Sequence, residues 1–532
     1  MANISKKGIR TLVFWPSFLL LLFSLVLNFA SKESFTQLVT NANNWLIANF
    51  GWGFSMTGFI ALITVIVAYL SPLGKIRLGG PDAKPVITKS NWFSITLCTT
   101  LAAGLLFWGT AEPMYHIAYP PESLGIEPFS PEAAKFAMET LFLHWTFEPY
   151  ALYTVPTIVF AFAYYNMRKP FSIGSQVAPL VGNRDSRKLE IFIDAICLFG
   201  IGAGMAASFG TSIMNMGGAI NSITGLPSGP TAWLIITVIG VATFVISSST
   251  GLMKGIRILS DINMKVYYVI IAFVFIAGPT AYVLNLGTEA FGGFLTGFFN
   301  KSLFTGAAAG DQWPQWWTTF YWANWMAWAP VTAVFLARIS YGYTIRELIE
   351  MNFILPAIFS AVWMTIFGGT AIYMQMNGVV DLVNVLNTIG AEGVGYAVLK
   401  QLPLSGIIIP FFLFIVFITF VTAADSTTNA MAALSSTGIT PENPEAPTFM
   451  KSIWGISVGA LAWIMISLLG INGIKMLSNL GGFPAAFLEI GAAISIFFLI
   501  KNPARFDVFS NGAIKNGDIK KDLNEHGQTI NA

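Results

Sequence analysis

Charge is what this sequence has least of: Asp, Glu, Lys and Arg make up 10% of its 532 residues, against 55% for the hydrophobic types. A soluble chain carries roughly a quarter charged residues, so a water-soluble multidomain reading is excluded. Cysteine is nearly absent too, and Cys98 and Cys197 both fall inside apolar runs, which argues against a disulfide framework or a cysteine metal cluster. Histidine is confined to His116, His144 and His526, with no HExxH-like pair and no converging nucleophile and base, so an integral-membrane enzyme is not expected. Neither a phosphate-binding loop with a soluble domain nor a repeated filter or charged ring can be found, which sets aside an ATP-driven pump and a channel. The net charge of +2 leaves no nucleic-acid footprint.

What is present is a succession of apolar runs. A hydrocarbon core about 30 Å thick is crossed by roughly 20 apolar residues in a helix. Such runs predict an all-α integral membrane protein with twelve spans, near 12–30, 50–71, 90–110, 139–166, 190–222, 231–250, 263–284, 316–338, 350–374, 405–436, 451–470 and 482–500. The short alternating segments of a closed β-barrel are missing. The first run is followed by Asn28, Ser31 and Lys32 without a small-x-small cleavage pattern, so it is read as a span and not as a signal peptide.

Positive charge sorts cleanly over these spans. Of 28 Lys and Arg, all but Lys32, Lys135, Lys301, Lys400 and Lys475 fall on the side that holds both termini, which makes that side cytoplasmic; the membrane is expected to be a bacterial-type inner one. The organisation is then a cytoplasmic N-terminus (1–11), a membrane domain (12–500) and a polar tail (501–532) expected to be a mobile extension. Two external connections are long, 111–138 and 285–315; the Phe291–Phe299 stretch of the second suits a short helix lying on the membrane surface, or a plain connector.

Six of the sixteen Trp lie between Trp313 and Trp328. Trp313, Trp316 and Trp317 sit where the helix enters the membrane and read as an interfacial belt. Trp325 and Trp328 lie some three turns deeper, near the midplane, and Tyr321, Trp325 and Trp328 share one helical face by their i, i+4, i+7 spacing. That face is either packing or a π-cage, in which ring faces attract a quaternary ammonium that has no ordinary hydrogen to donate. A second aromatic set, Trp145, Tyr150 and Tyr153, follows in LFLHWTFEPYALYTVP, where Pro149 and Pro156 loosen the backbone. Glu148 lies among them, and Asp425 lies in FVTAADSTTNAM with Thr422, Ser426 and Thr427 as further oxygen donors. An acid at such depth faces a cavity or a partner. Oxygen-rich, partly unwound backbone holds sodium in many transporters, whereas hydroxyls that bond back to their own helix are the commoner arrangement. His144, beside Trp145, reads as a satisfied interior group.

These residues closely resemble the betaine/carnitine/choline transporter family. The resemblance rests on FYWANWMAWAPVTAVFLARISYGYTIRELI (Phe320–Ile349), FWGTAEPMYH (107–116), the HWTFEPYALY segment, GLMKGIRILSDIN (251–263) and FVTAADS (420–426), in the family's order over about residues 12–500. It implies a LeuT-like inverted repeat of five plus five helices over about 90–500, preceded by two extra helices, in a homotrimer. It also implies secondary transport with a substrate cage on Trp145, Tyr150, Tyr153, Trp325 and Trp328. The chain departs from the pattern at Asn324 and Tyr150, where the family often has Trp, and reads TLAAG (Thr100–Gly104) where many members have a glycine-rich stretch. A sodium site would involve Phe420, Thr422 and Ala423, the last replacing a hydroxyl of the family's Thr-Ser pair. Family members that work without a cation carry Arg at the place of Asn263 and Met near Thr332; lacking both, this chain is expected to couple to sodium and to need no other cofactor. An ionised Glu148 beside the cage would repel the carboxylate of betaine or carnitine but tolerate choline, a protonated one could donate to the oxygen of trimethylamine N-oxide, and one facing away from the cavity would bond a neighbouring helix; on the first two readings trimethylamine N-oxide and choline are placed ahead of glycine betaine and carnitine. An amino-acid-type carrier on the same fold, or proton-coupled or exchange transport of a related onium, is the alternative.

Overall fold

The computed structural model describes residues 8–182, 187–249, 252–439 and 445–510 and, within these, all side chains but those of 101–103, 247–249 and 252–261. The last part of the polar tail therefore lies outside the described residues. Helices are the only extended regular elements among those described. In chain order they are α1 (Thr11–Ala30), α2 (Lys32–Leu70), α3 (Lys89–Ala118), α4 (Pro131–Trp145), α5 (Phe147–Tyr165), α6 (Ala178–Val181), α7 (Arg187–Thr224), α8 (Pro230–Ser249), α9 (Leu252–Ala277), α10 (Thr280–Ser302), α11 (Trp313–Trp316), α12 (Thr318–Ile339), α13 (Ile345–Ile349), α14 (Leu355–Met376), α15 (Leu382–Thr388), α16 (Ala391–Gln401), α17 (Ser405–Leu434), α18 (Thr448–Leu469) and α19 (Ile471–Lys501).

Among the described residues seven helices are long and apolar enough to cross a bilayer, or up to nine if each of two bent pairs is one span, so the chain is a multi-pass membrane protein. The seven are α1, α2, α7, α13 joined to α14, α17, α18 and α19. The bent pairs are the two halves of α3, which meet at 53°, and α9 with α10, which meet at 106°. The twelve expected spans also include α4 with α5, α8 and α12. Two of these regions are less apolar because they are innermost: from Glu148 to Ala163 every side chain of α5 is buried, and α12 is buried over most of its length. A helix that never meets lipid is free to carry Tyr, Trp, Thr and Asn. Outer helices instead show lipid-type faces, such as Leu12, Leu19, Phe23, Val26 and Phe29 on α1 and Ile235, Val238 and Ile239 on α8.

Some boundaries differ from the sequence reading. The span expected over 139–166 is two helices, because Thr146 leaves helical geometry (φ −115°, ψ −109°) before Pro149. The span expected over 263–284 ends at Ala277, and α10 turns away at Pro279, so the stretch expected as a short surface helix at 291–299 belongs to a helix that begins at Thr280. One face of α10 buries Val283, Leu286, Ala290 and Phe294, while Leu284, Phe291, Leu295 and Phe299 look outward.

The connections fall into two groups, each knitted together. On one side Arg10 pairs with Asp194 at 2.7 Å and donates to Leu434 O at 2.8 Å, and Asn166 links Arg77 O (3.2 Å) to Asp507 (3.3 Å). On the other, Ser123 donates to Asp311 at 2.7 Å, Lys301 pairs with Glu139 at 2.7 Å and Lys475 donates to Trp316 O at 3.1 Å. Glycine lets α19 lie tight in the centre: a Cβ on Gly482 would come within 2.1 Å of Ala323 O on α12, and one on Gly481 within 2.7 Å of Gly200 O on α7.

Candidate functional site: an aromatic cluster tied to a buried carboxylate

The helix start at Pro131 is capped by Ser130, whose hydroxyl accepts from Ala133 N at 3.1 Å, and α4 ends at Trp145. Thr146 closes that turn by donating to Phe142 O at 2.5 Å. The break leaves Trp145 at the tip of one helix and carries Tyr150 and Tyr153 on the next. Opposite them, α12 starts after a second irregular residue, Trp317 (φ −122°, ψ −75°).

Trp325 is the meeting point. Its ring lies 5.7 Å from Trp145 (interplanar angle 75°), 5.5 Å from Tyr150 (60°) and 4.9 Å from Tyr153 (59°), all tilted or edge-on as aromatic quadrupoles prefer. All four rings are buried. Tyr150 also shares a hydrogen bond with Ser360 on α14 at 3.2 Å. Trp328, one turn on, borders α7: a Cβ at Gly204 would stand 3.6 Å from its Cδ1. Two sequence candidates look elsewhere. The Asn324 side chain accepts from Ser478 of α19 at 3.0 Å, and Glu148 accepts from Ser302, at the end of α10, at 2.5 Å. Glu148 also lies near Gly58 of α2, whose added Cβ would stand 3.7 Å from its Oε1.

Beneath the cluster sits Glu112 of α3, fully buried, which sequence reasoning did not single out as a site residue. Its Oε1 faces His144 Nδ1 at 2.7 Å and His116 Nε2 at 3.1 Å. Its Oε2 accepts from the Trp145 indole N–H at 2.8 Å and from the Tyr321 hydroxyl. His144 Nε2 meets Thr318 Oγ1 at 3.1 Å, and the His144 and Tyr321 rings stack at 4.5 Å. The signals were an acid and a His at i, i+4 in one span and a His beside Trp145 in another; only the fold shows that they converge. His144 is the satisfied interior group that the sequence suggested.

The oxygen-rich stretch of α17 is arranged otherwise. The helix runs unbroken from Ser405 to Leu434, without the unwinding that the sequence allowed for. Thr422 donates to Ile418 O at 2.5 Å, while Ser426 (3.0 Å) and Thr427 (2.6 Å) both donate to Ala423 O. Phe420 packs edge-on against Phe209 at 4.8 Å. Thr419 makes the cross-helix link, to Asn263 Nδ2 and to the Tyr267 hydroxyl, each at 3.0 Å.

Residues 12–505 match the model of the BCCT, betaine/carnitine/choline family transporter. The chain belongs to this family. That places it among transporters and not enzymes. It is similar to a protein described as an ectoine/hydroxyectoine transporter of Virgibacillus pantothenticus, 29% identical over 90% of this chain and 94% of that one. It is also similar to a probable glycine betaine transporter of Desulfitobacterium hafniense (32%, over 94% of this chain and 99% of that one) and to a glycine betaine transporter of Bacillus subtilis (28%, over 74% and 76%).

Proposed function

We propose that this chain is a secondary active transporter that imports a small trimethylammonium-type solute, held by Trp145, Tyr150, Tyr153 and Trp325 with Trp328 at the border. The supporting observation is the contact of Trp325 with three rings carried by α4 and α5. A methylated onium offers no N–H to a hydrogen-bonding site, and ring faces bind it at roughly 0.5–2 kcal/mol per contact, more when dry. The cluster lies on α4 and α5, which are separated by the break at Thr146, and on α12, which begins after the irregular Trp317; broken backbone of this kind lines the binding site in this class of fold.

The cargo ordering drawn from Glu148 loses its basis, since the carboxylate is engaged by Ser302 away from the rings. Glycine betaine therefore stands level with trimethylamine N-oxide and choline, a reading that the named cargo of two relatives supports. Sodium is the proposed coupling ion, with Thr422, Ala423 and Phe420 near its site; a hydroxyl that gives its hydrogen to Ile418 keeps lone pairs for a cation. Twelve spans in a five-plus-five inverted repeat, cytoplasmic termini, an inner-membrane location and a homotrimer complete the reading, the termini from charge asymmetry.

The test is uptake of labelled glycine betaine, choline, trimethylamine N-oxide and carnitine into proteoliposomes, with and without an inward sodium gradient. Sodium-driven accumulation of at least one is expected. Accumulation of a primary amino acid and of none of the four would replace this reading with the amino-acid carrier, and gradient-independent exchange would remove the coupling ion.

A further inference from the structure

We propose that Glu112 is a positioning and specificity-determining residue of the solute site: its carboxylate fixes the Trp145 ring and makes that ring a better acceptor of positive charge. The inference rests on the aromatic-cage reading and adds to it the origin of charge selectivity.

Four donors converge on one carboxylate. The Trp145 N–H and the Tyr321 hydroxyl share Oε2, while His116 and His144 share Oε1. Both Oε1 contacts require the facing ring nitrogens to carry hydrogen, so His144 Nε2 is left to accept from Thr318. All four lone-pair sites of the carboxylate are thereby used. Trp145 is held from its other end as well: a Cβ at Gly104 would come within 3.0 Å of its Cη2, and Tyr321 lies edge-on at 5.4 Å. Trp325 Nε1, the other indole nitrogen of the cluster, is buried with no hydrogen-bond partner among the described residues. The cage thus has one indole tied to an anion and one held by packing alone.

An N–H donated to a carboxylate pushes electron density back into the indole, which strengthens the negative ring face that a cation meets. The carboxylate is itself one ring away from the solute, in a site from which water is excluded, so its field is weakly screened there. The Lys475 ammonium is held over the rings of Trp317, Tyr115 and Phe320, at 3.6, 5.9 and 5.5 Å from their centroids, none of them among the four rings assigned to the solute. Glu112 therefore favours a cationic solute over an equally shaped neutral one without touching either.

The experiment measures binding to the purified full chain in pairs of an onium and its carbon isostere: choline, a cation, with neutral tert-butylethanol, and glycine betaine, a zwitterion, with the anion of tert-butylacetic acid. In Glu112→Gln the affinity for the onium is expected to fall about tenfold, the affinity for the isostere to change by less than about threefold. Glu112→Asp, which keeps the charge, should restore part of the preference. Equal losses for both members of a pair, or no loss, would reduce Glu112 to a packing role and overturn the inference. Trp325→Ala separates the two claims: if it abolishes binding while Glu112→Gln leaves the preference intact, the cage stands and this inference fails. If the wild-type chain binds neither onium, both fail. Should Glu112→Gln not give folded protein, Tyr321→Phe decides: with one donor fewer on Oε2, the preference for the cation must hold or rise, and a fall contradicts the proposal.

Discussion

Around Glu112, six side chains of α3, α4 and α12 are joined by hydrogen bonds, all but the Glu112–His116 pair crossing from one helix to another. Along α17, Thr422, Ser426, Thr427 and Thr428 each return a hydrogen to a carbonyl of their own helix. The residue types are similarly polar, yet the first arrangement fixes three helices against one another and the second asks nothing of its neighbours. Aromatic rings that must meet a solute at set distances belong with the first. The proposed coupling-ion site, which would form and empty during transport, is compatible with the second.

The sharpest way to break this contrast is to add the same methyl group in each region. Gly482→Ala drives a Cβ to 2.1 Å from the Ala323 carbonyl oxygen, which only movement of α12 or α19 relieves. Gly240→Ala meets the Phe420 ring at 2.4 Å, and a side chain turns more readily than a helix moves. We expect a loss of about 3 kcal/mol or more at Gly482 and about 1 kcal/mol at Gly240, read from thermal unfolding in detergent. Similar losses would mean that the centre is no more constrained than α17.

His144→Ala comes next. It leaves Glu112 Oε1 and Thr318 each short of a partner, and should lower stability by about 1–3 kcal/mol. No change in melting would show that the network does not hold the helices. Thr422→Ala removes one back-bonded hydroxyl, so stability should move by less than about 1 kcal/mol, while the sodium concentration for half-maximal uptake rises about threefold. An unaltered sodium dependence would take Thr422 out of the ion site. The smallest effect is expected from Glu148→Gln, whose acceptor oxygen still serves Ser302: solute preference should shift by less than about twofold. A marked change in the choice between glycine betaine and choline would show that the rings feel this carboxylate.

The sequence made the helical architecture legible because spacing in an apolar run survives any fold. It also singled out Trp145, Tyr150, Tyr153 and Trp325, because Trp145 and Tyr153 lie two turns apart and Trp325 shares a helical face with Tyr321 and Trp328, both of which are local properties. What it could not supply was direction across helices. Glu148 and Asn324 stand beside residues of the aromatic cluster in the chain, yet turn to Ser302 and Ser478. Glu112 sits in a quoted motif, yet its meaning depends on α4 and α12 arriving from 32 and 209 positions away. Likewise, the right-angled turn between α9 and α10 leaves no mark in hydropathy, since α10 is apolar enough to continue a span.

The most direct test of the central claim is a binding titration of glycine betaine and choline on wild type, Trp325→Phe and Trp325→Ala. The aromatic cage predicts at least a tenfold weakening in Trp325→Ala and a smaller one in Trp325→Phe for whichever onium binds, at about 0.5–2 kcal/mol per ring contact. Equal affinity in all three proteins would contradict it.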